Sequence, residues 1–167
     1  MNLKHFIYEF KWYFARKKLQ AIKLVIFDLD GVMTDGSLYI DVNGSQTKRF
    51  NVKDGLGIRI LQSCNLKVAI ISGGKSGCAE QRAKDLDINL SFFEVKDKEK
   101  CVKKIQKILN IKKENTLYLG DDLNDLTVKT SVNLLISTND ASNSYKKRCD
   151  LILKSDGGKN AVRELSE

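Results

Sequence analysis

The chain has 167 residues, 42% of them hydrophobic and 30% charged, which suits one ordinary globular domain whose core needs no disulfide or metal staple. Its net charge of +8 points to anionic partners, but no aromatic-interleaved basic stripe or recognition motif marks a nucleic-acid binder. The four cysteines (Cys64, Cys78, Cys101, Cys149) form no C-x-x-C pair and the one histidine is His5, which argues against a zinc site and for reduced thiols.

In chain order, Leu3, Phe6, Ile7, Phe10 and Phe14 recur at helical spacing, predicting an amphipathic helix over 2–19 with Lys4, Lys11, Arg16, Lys17 and Lys18 on its polar face. Such a helix is expected to dock its apolar stripe on the domain or a neighbouring subunit, the alternative being a membrane surface. No signal peptide is apparent and no apolar run reaches the ~18–20 residues of a membrane span, so a cytoplasmic protein is expected.

Apolar runs at 24–27, 68–71, 90–95, 116–119, 132–136 and 151–153 read as buried strands. They alternate with helical patterns near 54–64, 76–86, 98–109, 122–130, 141–147 and 158–166. This alternation predicts a single α/β domain, a doubly wound parallel sheet with helices on both faces. After the first strand, Asn43-Gly44 between two alternating runs predicts a β-hairpin flap over about 36–52, with no further domain inserted.

Four motifs follow the ends of predicted strands, the edge where an open parallel sheet holds its ligand. Asp28-Leu29-Asp30-Gly31 puts two carboxylates on one side of a strand end, where their repulsion calls for a proton or a cation. Ser72-Gly73-Gly74-Lys75 brings a hydroxyl and flexible backbone to a helix start, which suits a phosphate oxygen; a glycine turn with an N-cap is the plainer reading. Lys98, within a run of lysines that would otherwise be a solvated face, opens a helix where it could neutralise a phosphoryl group. Gly120-Asp121-Asp122-Leu123-Asn124-Asp125 crowds acids and an amide as a hard-cation site would, although acidic first-turn residues also favour the helix dipole. Collected at one edge, the four outweigh the plainer readings of each.

Together these residues resemble the haloacid dehalogenase superfamily of aspartate-nucleophile phosphatases, over residues 23–166. The short chain, the hairpin in place of a cap domain, Asn51-Val52-Lys53-Asp54-Gly55-Leu56-Gly57 and the ending Gly157-Gly158-Lys159-Asn160-Ala161-Val162-Arg163-Glu164 are similar to the 3-deoxy-D-manno-octulosonate 8-phosphate phosphatase family. The resemblance implies that Asp28 is the nucleophile, Asp30 the general acid and base, and that Ser72, Gly73, Lys98 and Asn124 contact phosphoryl oxygens. It implies Mg²⁺ on the Asp28 carboxylate, the Asp30 main-chain carbonyl and Asp121, with Asp125 orienting the ligands. It further implies an acidic sugar phosphate of lipopolysaccharide synthesis as substrate, Arg82 on the sugar carboxylate, Lys53 and Arg163 near the entrance, and a homotetramer.

Three positions depart from the family pattern. Gly74 stands where octulosonate phosphatases carry Arg and the nine-carbon ulosonate enzymes Glu; Asp85 stands where the latter carry Lys; and the tail reads Gly-Gly-Lys-Asn rather than Gly-Gly-x-Gly. The length of the sugar is therefore open. A phospho-accepting receiver domain and a non-catalytic oligomerisation module are the competing readings; the first would place its acceptor Asp after the third strand and lack the Asp-x-Asp-Gly after the first.

Overall fold

A computed structural model describes residues 3–167, with side chains from residue 10 onward. The element order is α1 (Leu3–Gln20), β1 (Leu24–Phe27), β2 (Tyr39–Ile40), β3 (Gln46–Thr47), α2 (Val52–Ser63), β4 (Lys67–Ile71), α3 (Gly77–Asp85) and β5 (Leu90–Phe92). Then follow α4 (Lys98–Leu109), β6 (Thr116–Gly120), a 3₁₀ helix (Leu123–Ser131), β7 (Leu134–Ser137), α5 (Asn143–Lys146), β8 (Leu151–Ile152) and α6 (Ala161–Leu165).

Among the described residues, six strands form one sheet in the order β5-β4-β1-β6-β7-β8, every pair parallel. This is the expected doubly wound sheet, and β1 and β6 flank the point where the strand order reverses. Leu24 pairs with both Lys67 and Thr116, so the ends of β1, β4 and β6 are level. Alternation along the strands feeds two cores. Val25, Phe27, Ile70, Leu117 and Leu119 enter one; Leu24, Ile26, Ala69, Ile71 and Tyr118 enter the other. Near-continuous burial on both faces is why these strands read as unbroken apolar runs.

The hairpin is present, with two residues in each strand. Tyr39 pairs with Thr47 and Ile40 with Gln46, leaving a five-residue loop rather than a tight Asn-Gly turn. The Asp41 carboxylate organises that loop by accepting the Asn43 and Ser45 N–H groups at 2.9 and 2.8 Å.

Several expectations shift. β5 stops at Phe92 instead of continuing to residue 95, because Glu94 adopts a left-handed φ of 56° that breaks the ladder. The segment 123–131 is a 3₁₀ helix, capped by a reciprocal Asp122–Asp125 capping box. In α1 the packed face is Trp12, Ala15 and Leu19, whereas the expected stripe residues Phe10 and Phe14 are 53% and 64% exposed. A small Ala flanked by Trp and Leu lets the helix approach the core closely, and the phenylalanines point away. Residue 2 and the side chains of Leu3, Phe6 and Ile7 lie outside the described residues.

A candidate phosphoryl-transfer site at the sheet's switch point

Asp28 directly follows β1; its N–H still bonds Leu119 O at 2.9 Å, which holds it at the sheet edge. Asp121 follows β6 in the same way. The third acid, Asp125, sits on the first turn of the 3₁₀ helix, fully buried. One oxygen from each of Asp28, Asp121 and Asp125 lies within 4.8 Å of the others.

A single buried cation serves these acids. Lys98, the first residue of α4, places Nζ 2.9 Å from Asp28 Oδ2 and 2.6 Å from Asp125 Oδ1. Asp97, the N-cap, accepts the Lys100 N–H at 3.0 Å and so fixes the start of the helix that delivers Lys98. Burial alone would lower the Lys98 pKa, but Asp28 and Asp125 outweigh it and the ammonium is stabilised.

The acids remain under-compensated. Burial, then repulsion from Asp125, pushes the Asp28 carboxyl up to about 7 despite Lys98 and the 2.7 Å bond from Leu29 N–H. Burial, then Asp28, pushes Asp121 up to about 8. Its carboxylate accepts no hydrogen bond among the described residues. A half-buried orphan carboxylate beside a second one is the donor set a hard divalent cation takes.

Asp125 differs from the other two. Its Oδ1 accepts from Lys98 and, at 2.7 Å, from Tyr118 OH, while Oδ2 accepts the Asp121 and Asp122 N–H groups at 3.0 and 3.4 Å. With four donors already on it, Asp125 is suited to holding the Gly-Asp-Asp turn in place, and Asp28 and Asp121 to direct ligation. Gly31 makes the arrangement possible. It has φ +78°, and a Cβ there would lie 2.1 Å from Asp121 Oδ2.

The other expected residues divide into two groups. Ser72, 1% exposed after β4, accepts the Gly74 N–H on Oγ at 3.0 Å, and Gly73 is exposed beside it. Asn124 is exposed on the turn that carries Asp121 and Asp125. The Asp30 carboxylate stands apart from the acid cluster, held by Lys48 Nζ at 2.7 Å on each oxygen and by Thr34 Oγ1 at 3.4 Å.

Arg82 is tucked under α2, where its guanidinium reaches Asn51 O at 3.4 Å and lies 5.9 Å from the Phe50 ring centre, with Nε unpaired among the described residues. Lys53 and Arg163 meet in an open groove of about 730 Å³ together with Leu56, Lys154, Ser155 and Asn160; none of the clustered acids lines it.

Three contributors were not singled out from the sequence. Tyr118 looks like one more apolar strand residue, and only its inward hydroxyl shows otherwise. Asp54, buried, accepts the Arg163 and Asn160 N–H groups at 3.0 and 3.3 Å and ties the tail to α2; burial raises its pKa. Lys48 sits in a Lys48-Arg49 pair of which one member turns in and the other out, a distinction with no signal in composition.

Comparisons with known proteins show what the chain is similar to. Residues 94–164 match the family model of haloacid dehalogenase-like hydrolases. The 3-deoxy-D-manno-octulosonate 8-phosphate phosphatase of Haemophilus influenzae is 40% identical over 91% of this chain and 84% of its own. Its cobalt-bound structure superposes with a TM-score of 0.86 at 40% identity, covering 89% of this chain and 87% of that one. The Moraxella catarrhalis phosphatase, solved with magnesium, phosphate and a KDO molecule, gives 0.86 at 34% identity over 90% and 86%. Identity at this level over nearly the whole chain, with the acids gathered at the switch point, shows that the chain belongs to the 3-deoxy-D-manno-octulosonate 8-phosphate phosphatase family of haloacid dehalogenase-like hydrolases.

Proposed function

We propose that this phosphatase hydrolyses 3-deoxy-D-manno-octulosonate 8-phosphate, or a close ulosonate phosphate, through an aspartyl-phosphate intermediate on Asp28. The observation that carries the reading is the buried Lys98 ammonium bridging Asp28 and Asp125 beside the unpaired Asp121. Asp28 Oδ attacks phosphorus as the ester P–O bond breaks, and Asp30 gives its proton to the departing sugar oxygen. Asp30 then takes a proton from water, which attacks phosphorus, breaks the aspartyl bond and restores Asp28.

Ser72 Oγ, already accepting from Gly74, keeps its proton to donate to a phosphoryl oxygen, and the Gly73 N–H, Lys98 and Asn124 complete the cradle. The Asp28 and Asp121 carboxylates and the Asp30 carbonyl would hold Mg²⁺, which when bound would supply the positive charge that lets an anionic phosphate approach these acids. Asp125 orients that set.

For the sugar, Arg82 is the proposed carboxylate partner, and Lys53 and Arg163, which line the open groove, are proposed to flank the entrance. The chain acts as one domain in a homotetramer, whose contacts would cover Leu38, Tyr39, Ile40 and Val42 of the hairpin, all exposed here. Four free cysteines suit the reducing cytoplasm, where we place the activity, and among the described residues no helix is long and apolar enough to cross a membrane.

The test is phosphate release from eight- and nine-carbon ulosonate phosphates, with and without Mg²⁺, by the native protein and by Asp28→Asn. Metal-dependent turnover that favours the eight-carbon ester and collapses in the variant is expected. Turnover retained by Asp28→Asn would remove Asp28 as nucleophile.

A further inference from the structure

We propose that Lys48, from the hairpin, is a positioning residue that fixes the Asp30 carboxylate for proton transfer and so couples the docked hairpin to turnover. The inference rests on Asp30 being the acid and base of the reaction.

Lys48 follows β3 directly, yet its side chain is only 2% exposed. An ammonium kept that dry must be paired, and the partner it has taken is Asp30, with both oxygens at 2.7 Å. Asp30 has little else to fix it. Its side chain is 35% exposed, it lies on a loop, and Thr34 Oγ1 at 3.4 Å is a weak second partner. Two short charge-assisted bonds from one buried donor define where both carboxylate oxygens lie.

The two buried lysines divide the work. Lys98 serves the nucleophile and the acid cluster, while Lys48 serves Asp30. The next residue, Arg49, pairs with Asp35 at 2.7 Å, so consecutive cations clasp the leg of the hairpin to the loop that carries Asp30. Beside Lys48, a half-open cavity of about 270 Å³ lies between the hairpin, the loop from β4 into α3 and Glu94 after β5, lined by Gln46, Lys75 and Ser76 among others. Lifting the hairpin would therefore withdraw the ammonium from Asp30.

Gly74 leaves room for the pair. A Cβ there would come 3.1 Å from Asp30 Oδ2 and 3.3 Å from Lys48 Nζ, closer than either can tolerate without giving way.

In the second half-reaction the oriented Asp30 oxygen accepts a proton from water while the water oxygen bonds to phosphorus and the Asp28–phosphorus bond breaks. Loss of orientation should slow this step, and misplacement by ~1 Å can reduce such a rate by ~100-fold. p-Nitrophenyl phosphate isolates the step, because nitrophenolate leaves without needing a proton.

The experiment is rapid-quench kinetics with that ester and Mg²⁺ on the native protein, Lys48→Met, Lys48→Arg, Gly74→Ala and Asp30→Asn. Lys48→Met is expected to show a burst of nitrophenolate, accumulated phosphoenzyme and a steady rate lower by roughly 10–100-fold. Lys48→Arg should restore part of the rate, and Gly74→Ala, which crowds the pair but keeps both charges, should shift the kinetics the same way to a smaller extent. If Lys48→Met does not fold, Lys48→Gln and Gly74→Ala carry the comparison.

Unchanged burst and steady rate in the folded Lys48 variants, or a rise in KM alone, would overturn the inference while leaving Asp30 in its role. Asp30→Asn without accumulated phosphoenzyme would instead remove the reading beneath it.

Discussion

Replacing Lys98 by Met deletes the one buried cation among three carboxylates and should be visible first as lost stability. At 2.9 Å and an effective dielectric of about 20, the attraction to Asp28 alone is about 6 kcal/mol, and Asp125 at 2.6 Å adds a similar gross amount. Desolvating the ammonium offsets several kcal/mol of this, so breaking the pair should destabilise the metal-free protein by about 3–5 kcal/mol. For a chain of this size, that lowers Tm by roughly 6–20 °C.

The loss should be largest above about pH 8, where Asp28 and Asp121 are both mostly ionised, and should shrink as pH falls below about 7 and their protons return. Thermal melts in EDTA across that range measure it, and added Mg²⁺ should recover part of the difference. A Lys98→Met protein as stable as the parent at pH 8 in EDTA would refute the idea that the acids repel one another around this ammonium.

Two further outcomes are expected. Folded-state pKa values raised from 3.8 to about 7 and about 8 mean that the folded protein holds extra protons between about pH 4 and 8, so metal-free stability falls as pH rises through that window. Mg²⁺ competes with those protons, so a fixed concentration set at 100-fold over the Kd at pH 8 should stabilise by ~2.7 kcal/mol at pH 8 and by less at pH 5.5, where the Kd is weaker; the reverse order would contradict the assignment. Gly31→Ala combines ~1–2 kcal/mol of left-handed strain with a Cβ driven into Asp121, and calorimetry should show Mg²⁺ affinity at least ~10-fold weaker; unchanged affinity would place the cation elsewhere.

The acids at the ends of β1 and β6 were legible because buried parallel strands announce themselves as unbroken apolar runs, and whatever polar residues follow must emerge at the sheet edge. Lys98 was legible only by position, as the residue opening the helix after β5. Lys48 was not, since which of two adjacent cations turns inward depends on how the hairpin leg lies against the loop after β4, a non-local fact. The same limit applied to α1. Phe10 and Phe14 form the more conspicuous apolar stripe, but the closer approach available at Ala15 decided which face packs. Over nine residues, the apolar spacing at 123–131 could not separate a period of 3.0 from one of 3.6.

The most direct test of the whole account is a crystal structure grown with Mg²⁺ and beryllium trifluoride, a mimic of an aspartyl phosphate. Trifluoroberyllate bonded to an Asp28 oxygen, with one Mg²⁺ ligated by both Asp28 and Asp121, is the expected result. Beryllium on another side chain, or a metal that touches only one of those two carboxylates, would contradict it.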